Sequence, residues 1–329
     1  MISVQTRLMS HPLPTRVVAT APGSIGNVGP GLDVLGCTLA GLRDGVMAEW
    51  SSVRDSLHLL DAGHPDLPTN PQRHTAALAA AAVLQMARAR GVTIPHGGLA
   101  LTARKELPLS GGQGGSAASA VAGAVATNAL LGSPLDAHAL MECCLVAEEA
   151  VAGRHLDNIA PALLGGIILV RSLAPIDLVQ LPVPHGLRIV LAHPAQRLST
   201  SESRRALPSH VPRGTVTAQL AQVAAMVAAC YRDDLALFGR ALDDRIAEPA
   251  RAPLVPGFLD AKRAALAAGA LGASISGAGP TSFAIVADET SGAAVASAMQ
   301  AAYERAGLAC DTRLTEIDLQ GAVVEAADA

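Results

Sequence analysis

The stretch Leu107–Asn128 reads LPLSGGQGGSAASAVAGAVATN, with Gly111, Gly112, Gly114 and Gly115 interrupted only by Gln113 and followed at once by a run of small residues. Glycine loses more conformational freedom on folding than any other residue, so a cluster of them belongs where the backbone turns sharply or is approached closely. The run from Ser116 to Leu131 is helix-compatible, so the glycines feed a helix N-terminus. There, convergent N–H groups and about half a positive charge make a cradle for phosphate. Ser116 falls in the first turn, within reach of a metal bound to that phosphate. A Walker A loop would need a lysine that this segment lacks. GQGGSA satisfies the dinucleotide pattern G-x-G-x-x-A, but the preceding RKELPLS is not the buried parallel strand which that turn follows. A glycine loop selected only for close packing against protein remains the alternative. The phosphate reading predicts that a side chain at Gly112 or Gly114 blocks the anion without unfolding the chain.

At 329 residues, 50% hydrophobic and 16% charged, the chain can bury a large core and divides naturally in two. Net charge is −4 with no basic cluster, which speaks against nucleic acid or an anionic membrane and for a small-molecule partner. Five cysteines without a C-x-x-C pair argue against both a disulfide framework and a zinc site, and fit a reducing cytoplasm. The N-terminal MISVQTRLMSHPLPTR interrupts any apolar run with Arg7, His11 and two prolines, so it does not read as an export signal. Aromatic residues make up only 2%, which predicts elements packed closely through Ala and Leu.

Short β-branched runs alternate with Ala-rich segments, an α+β pattern rather than strict βαβ. Strands are predicted at 16–22, 46–52, 99–105 and 166–171, and helices at 74–90, 116–131 and 137–151. After LAPIDLVQLPVPHG, with prolines at 175, 182 and 184, a second set begins at Leu187. The boundary is therefore placed to give domains 1–185 and 186–329. The second set comprises a strand at 187–193, helices at 215–242 and 256–269, a strand pair within 272–286 and a helix at 291–306. Only the tail EAADA reads as loose.

PLSGGQGGSAAS resembles the P-x-x-x-G-L-G-S-S-A loop of the GHMP kinases, with Gln113 for leucine and Gly115 for the first serine. APGSIGNVGPGLDVLG (21–36) is similar to the first motif of the family in its homoserine-kinase branch, with Leu32 for phenylalanine. HLDNIAPALLGG (155–166) is similar to H-x-D-N-x-A-P-x-x-x-G-G, and STSESRRALP, IAEPARAPLVPGF and GASISGAGPTSFAIV continue the likeness in order. The resemblance covers nearly the whole chain. It implies a two-domain α+β architecture, an N-terminal ribosomal S5 domain 2-like half and a C-terminal ferredoxin-like half, with ATP between them. The implied reaction is ATP- and Mg²⁺-dependent phosphorylation of the L-homoserine hydroxyl, a step of threonine biosynthesis; a homodimer is left open. Another GHMP kinase, such as a shikimate or mevalonate kinase, and a non-catalytic sensor of ATP or an amino acid are the competing readings. RHTA stands where this branch commonly has R-N-T-A, which leaves the contact of His74 with the nucleotide open.

Homoserine carries an ammonium, a carboxylate and a reacting hydroxyl. Asp33, in apolar surroundings, is the candidate for the ammonium, the alternative being a cap for a helix at Val34. Arg204 and Arg251 are the candidates for the carboxylate because a guanidinium fork matches two oxygens. On the resemblance, Asn27, His155, Asn158 and Thr200 are their hydrogen-bonding neighbours, and Pro108, Leu109, Ser110, Gly111, Gly112, Gln113, Gly114, Gly115, Ser116, Ala117 and Ala118 hold ATP. Ser116 and Glu148 are the expected metal ligands and, with Asn158 and a supporting Asp157, the catalytic set. Adjacent residues on a helix differ by about 100°, so only one of Glu148 and Glu149 can face the cleft; the spacing of ten residues to Asn158 that the family shows favours Glu148.

Overall fold

The computed structural model describes residues 13–53, 56–95, 97–151 and 153–328. Most of the N-terminal stretch weighed for an export signal lies outside them. Strands β1 (Arg16–Gly26) and β2 (Leu35–Ser51) pair antiparallel along most of their length. The sequence predicts only the second half of β2. Its first half contains Gly36, where a Cβ would meet the Asp157 carbonyl oxygen at 1.6 Å, so packing against that backbone removes the side chain a strand pattern would need.

Strands β3 (Leu57–Asp61), β4 (Gly98–Arg104), β5 (Ile167–Leu173), β6 (Ile176–Leu181) and β11 (Val323–Asp328) complete a seven-stranded sheet. Its main path runs β11-β1-β2-β4-β3, with β5 and β6 extending from the start of β2. The pairing of β3 with β4 is parallel and the rest are antiparallel. Helix α2 (Gly115–Leu130) lies on β1 and β2, with α1 (Thr75–Ala89), α3 (Ala137–Glu149) and α4 (Ile159–Leu164) around it. A Cβ on Gly123 of α2 would stand 2.4 Å from the Ala76 carbonyl oxygen of α1. The two helix backbones touch, which is the close packing that a chain poor in aromatics requires.

The second sheet holds β7 (Arg188–Pro194), β8 (Gly272–Ile275), β9 (Ser282–Val286) and β10 (Cys310–Thr315) in the antiparallel order β10-β7-β9-β8. This is the ferredoxin-like 4-1-3-2 arrangement. Strand side chains alternate between faces. Val190, Ala192, Ala284 and Val286 pack under α9 (Phe258–Ala267) and α10 (Glu289–Arg305), while Ile189, Leu191, Phe283 and Ile285 pack with Ile25, Leu35 and Ile167 of the first sheet. A shared core therefore joins the two halves. The remaining helices are α5 (Thr200–Arg205), α6 (Arg213–Arg232), α7 (Leu235–Arg240) and α8 (Ala247–Arg251).

Two expectations are corrected. The helix predicted over 215–242 breaks at Asp233, which adopts φ 55°, and the Asp234 carboxylate accepts the Leu237 N–H at 2.8 Å to start α7. Consecutive Asp residues favour capping over helix interior. The tail is strand β11, pairing with β1 from Arg16↔Asp328 to Thr20↔Val323, so the end of the chain returns to the first sheet. Among the described residues, no helix is long and apolar enough to cross a membrane.

Candidate active site

A cleft of about 430 Å³ opens between the halves, lined by the glycine loop and by residues that follow β1, β7 and β8. The loop is pinned from both sides. The Ser24 N–H of β1 donates to the Gln113 carbonyl oxygen at 3.1 Å, and the Ser276 hydroxyl after β8 donates to the Gly112 carbonyl oxygen at 2.6 Å. Gly112 (φ 71°) and Gly114 (φ 66°) take the left-handed backbone that side chains disfavour. A Cβ on Gly112 would meet the Ser276 carbonyl oxygen at 2.5 Å, and one on Gly114 would meet Ser24 Oγ at 2.0 Å. The close approach that the sequence demands is therefore made by protein atoms, a packing role that the phosphate reading had not required.

The same turn still presents helix α2 to the cleft. Gly114 occupies the N-cap position and no side chain caps the helix, which leaves its first-turn N–H groups free for an anion. Of the run proposed for ATP, Pro108, Leu109, Ser110, Gly111, Gly112, Gly114, Gly115, Ser116 and Ala117 line the cleft. Ala118 is fully buried in the core and Gln113 turns away, donating to Thr281 Oγ1 and accepting from Arg313, both at 3.4 Å.

Sequence reading missed Lys105. Its ammonium lies on the cleft wall and donates to the Asp44 carboxylate, to the Gly115 carbonyl oxygen at 2.7 Å and to Ser119 Oγ at 3.1 Å. Asp44 also accepts the N–H groups of Glu106 and Leu107. This buried cluster fixes the entry to the loop and the first turn of α2. The signal was the basic pair before the loop; its partner lies 61 residues away. His74 also reaches the cleft, with Nε2 against the Ala62 carbonyl oxygen at 3.2 Å and Nδ1 buried without a partner.

The cleft is also lined by Asn27, His155, Asp157, Asn158, Thr200, Arg204 and Arg251. Asn27 ties one of them, Asp157, to Asp33, which is not itself among the cleft-lining residues. The Asn27 N–H donates to Asp157 Oδ2 at 3.0 Å, and its Oδ1 accepts the Asp33 N–H at 2.8 Å. Asp33 has φ 60° and leads into β2, so it caps no helix. Its carboxylate is held by both terminal nitrogens of Arg204, at 2.9 and 3.2 Å, and faces His155 Nδ1 at 3.4 Å. The groups expected to take the two charged ends of a substrate thus hold each other. Arg251 is 3% exposed and donates to the Gly277 carbonyl oxygen at 2.9 Å, while its Nε has no partner. Among the described residues it has no carboxylate in contact. Burial, and then the like charge of Arg204, pull its pKa down.

Glu148 lies buried on the cleft wall with Oε2 unpartnered, whereas Glu149 is exposed beside Arg154 at 3.7 Å. Burial pushes the Glu148 carboxyl up to about 7, with Asp157 adding and Arg204 opposing. An orphaned acidic oxygen of this kind fits a cation ligand, and Ser116 is exposed on the same cleft. Because the folded-state pKa is raised, the protonated form is the comfortable one. Stability is full below about 4.5 and falls as pH rises through about 7. Glu148→Gln should therefore flatten the pH dependence of urea unfolding and stabilise the ligand-free protein above pH 7, by about 3 kcal/mol at most. Glu149→Gln should leave the profile unchanged; an equal effect of the two substitutions would contradict this placement.

The fold and this cleft define a GHMP kinase. The family descriptions "GHMP kinases N terminal domain" and "GHMP kinases C terminal" match residues 76–166 and 226–305. A homoserine kinase of Chlorobaculum tepidum is 40% identical over 93% of this chain and 97% of its own length. One from Arabidopsis thaliana is 41% identical over 93% of this chain and 84% of its own. The crystal structure of homoserine kinase from Cytophaga hutchinsonii superposes with a TM-score of 0.88 at 34% identity, covering 95% of this chain and 98% of that one. The chain belongs to the homoserine kinase family.

Proposed function

We propose that the chain transfers the γ-phosphoryl group of ATP to the side-chain hydroxyl of L-homoserine, giving O-phospho-L-homoserine and ADP for threonine synthesis. The observation that carries the reading is a single cleft holding both an uncapped, glycine-entered helix N-terminus and a buried guanidinium, Arg251, with no carboxylate in contact among the described residues. The first suits phosphates and the second lacks an anion, which the carboxylate of an amino-acid substrate supplies. Family membership supplies the class of reaction.

In this reading the loop from Pro108 to Ala117 and the α2 dipole hold the phosphates, with Lys105 keeping the first turn of α2 in place. Ser116 and Glu148 would hold Mg²⁺, which neutralises phosphate charge when bound. Arg204 and Arg251 take the substrate carboxylate and Asp33 its ammonium, with Asn27, His155, Asn158 and Thr200 around them. The homoserine oxygen then attacks the γ-phosphorus in line, and the bond to the β-bridging oxygen breaks. A loose transition state depends on positioning more than on a strong base. Burial and the nearby Asp33 push the Asp157 carboxyl up to about 6, but one of its oxygens already accepts the Asn27 N–H. We assign Asp157 to holding that turn.

The five cysteines are buried and unpaired, which supports a reducing cytoplasm. A division at 185/186 suits the two sheets, with β11 returning to the first. The test is coupled ADP release with L-homoserine, mevalonate, shikimate and galactose. Strong preference for L-homoserine is expected; equal turnover of mevalonate would overturn the assignment, and ATP binding without turnover of any alcohol would favour a sensor.

A further inference from the structure

The ion pair between Asp33 and Arg204 crosses the cleft. Asp33 sits at the β1–β2 turn of the first half, its backbone held through Asn27 to Asp157. Arg204 sits in the last turn of the short helix α5 of the second half, whose N-terminus is capped by Ser199 Oγ on the Glu202 N–H at 3.2 Å. The two residues are 171 apart in sequence and meet through two parallel N–H···O contacts at 2.9 and 3.2 Å. Each side chain is about one-third exposed and Arg204 lines the cleft, so a ligand there can reach the pair at its guanidinium. Two-point pairing of this kind occupies both carboxylate oxygens and both terminal guanidinium nitrogens, while Arg204 Nε is buried without a partner.

We propose that this pair is an exchangeable latch that makes the site selective for zwitterions. Resting on the homoserine reading above, the inference concerns how that substrate is told from alcohols carrying only one of its charges. An α-amino acid brings an ammonium for Asp33 and a carboxylate for Arg204, so both partners leave one ion pair and enter another. A molecule with only a carboxylate must compete with Asp33 for Arg204 and strands the acid. A molecule with only an ammonium strands the guanidinium. Leaving one member of a part-buried pair without its partner costs more than the pair contributes. Selectivity thus comes from what the protein does to itself when half of the match is missing. Arg251 stands outside the latch, since among the described residues its side chain donates only to the Gly277 carbonyl oxygen.

The latch makes a counter-intuitive forecast: removing one member should improve the use of the matching half-charged alcohol. Asp33→Asn frees Arg204, so kcat/KM for 4-hydroxybutanoate should rise about tenfold over wild type while that for L-homoserine falls about a hundredfold or more. Arg204→Met frees Asp33, so 3-aminopropan-1-ol should gain by a similar factor. The measurement is coupled ADP release from the full chain with ATP and Mg²⁺. Wild type must first turn over L-homoserine; if it does not, the functional reading fails before the latch is tested. If wild type is active and either variant gains its predicted alcohol, the latch stands. If both variants lose all three alcohols in parallel, the pair is only a binding surface and the proposal is overturned.

Discussion

Gly114→Val should strongly destabilise the protein rather than merely silence it. A Cβ at this position would lie 2.0 Å from Ser24 Oγ, 3.0 Å from the Ser24 backbone nitrogen and 3.1 Å from Asn158 Oδ1, and the backbone stands at φ 66°. Left-handed strain in a β-branched residue and the forced displacement of β1 together cost roughly 3–6 kcal/mol. That is a large share of the about 5–15 kcal/mol that stabilises an ordinary protein. Urea or thermal unfolding without nucleotide should show a large loss, and ATP binding should disappear with it. The expectation from sequence alone, that the fold survives and only the phosphate is blocked, is thereby reversed. Gly115→Ser is the control. Its Cβ would crowd the Lys105 ammonium at 2.8 Å and touch Leu107 Cβ at 3.5 Å, so the ammonium must shift within its contacts to Asp44 and Ser119; a loss of about 1–2 kcal/mol, smaller than for Gly114→Val, with ATP binding retained is expected. A Gly114→Val protein that melts like wild type but binds no ATP would refute this account.

Arg251→Ala should have the opposite signature, with activity lost and the fold kept. The guanidinium is 3% exposed, one of its nitrogens has no partner, and Arg204 repels it. Removing it opens a cavity and leaves the Gly277 carbonyl oxygen without this donor, but it also removes a buried charge that no described carboxylate touches. Those effects offset each other in the empty protein, so the unfolding midpoint should move little. The loss appears once a substrate carboxylate needs a partner: kcat/KM for L-homoserine should fall by about 2–5 kcal/mol, roughly two to four orders of magnitude. The KM for ATP should change far less. A reduction below tenfold, or an equal loss in ATP affinity, would remove Arg251 from the carboxylate site.

Much of the architecture is written in local pattern. Helix α2 begins at Gly115, one residue from its predicted start, because four glycines and a small-residue run leave few alternatives. That one of Glu148 and Glu149 faces inward follows from helical rotation, the family spacing picking Glu148, and the strands at 188–194 and 282–286 follow from their apolar, β-branched runs. Strands β3 and β6 and the short helices α4, α5 and α8 were beyond that pattern. Their few residues supply little periodicity, and packing against other elements holds them.

What the sequence by itself determined is therefore the run of its longer elements, the glycine-entered helix and the family, since steric and periodic preferences act within a few residues and motifs are read in order. What only the tertiary structure decided is who pairs with whom. Asp33 meets Arg204 across 171 residues, Lys105 meets Asp44 across 61, and the tail closes on β1. Those partners are chosen by the cost of burying a charge or a strand edge unpaired, a cost that exists only once the chain has folded around them. The same reason turned Gly112 and Gly114 from positions kept clear for a ligand into positions that the protein itself fills.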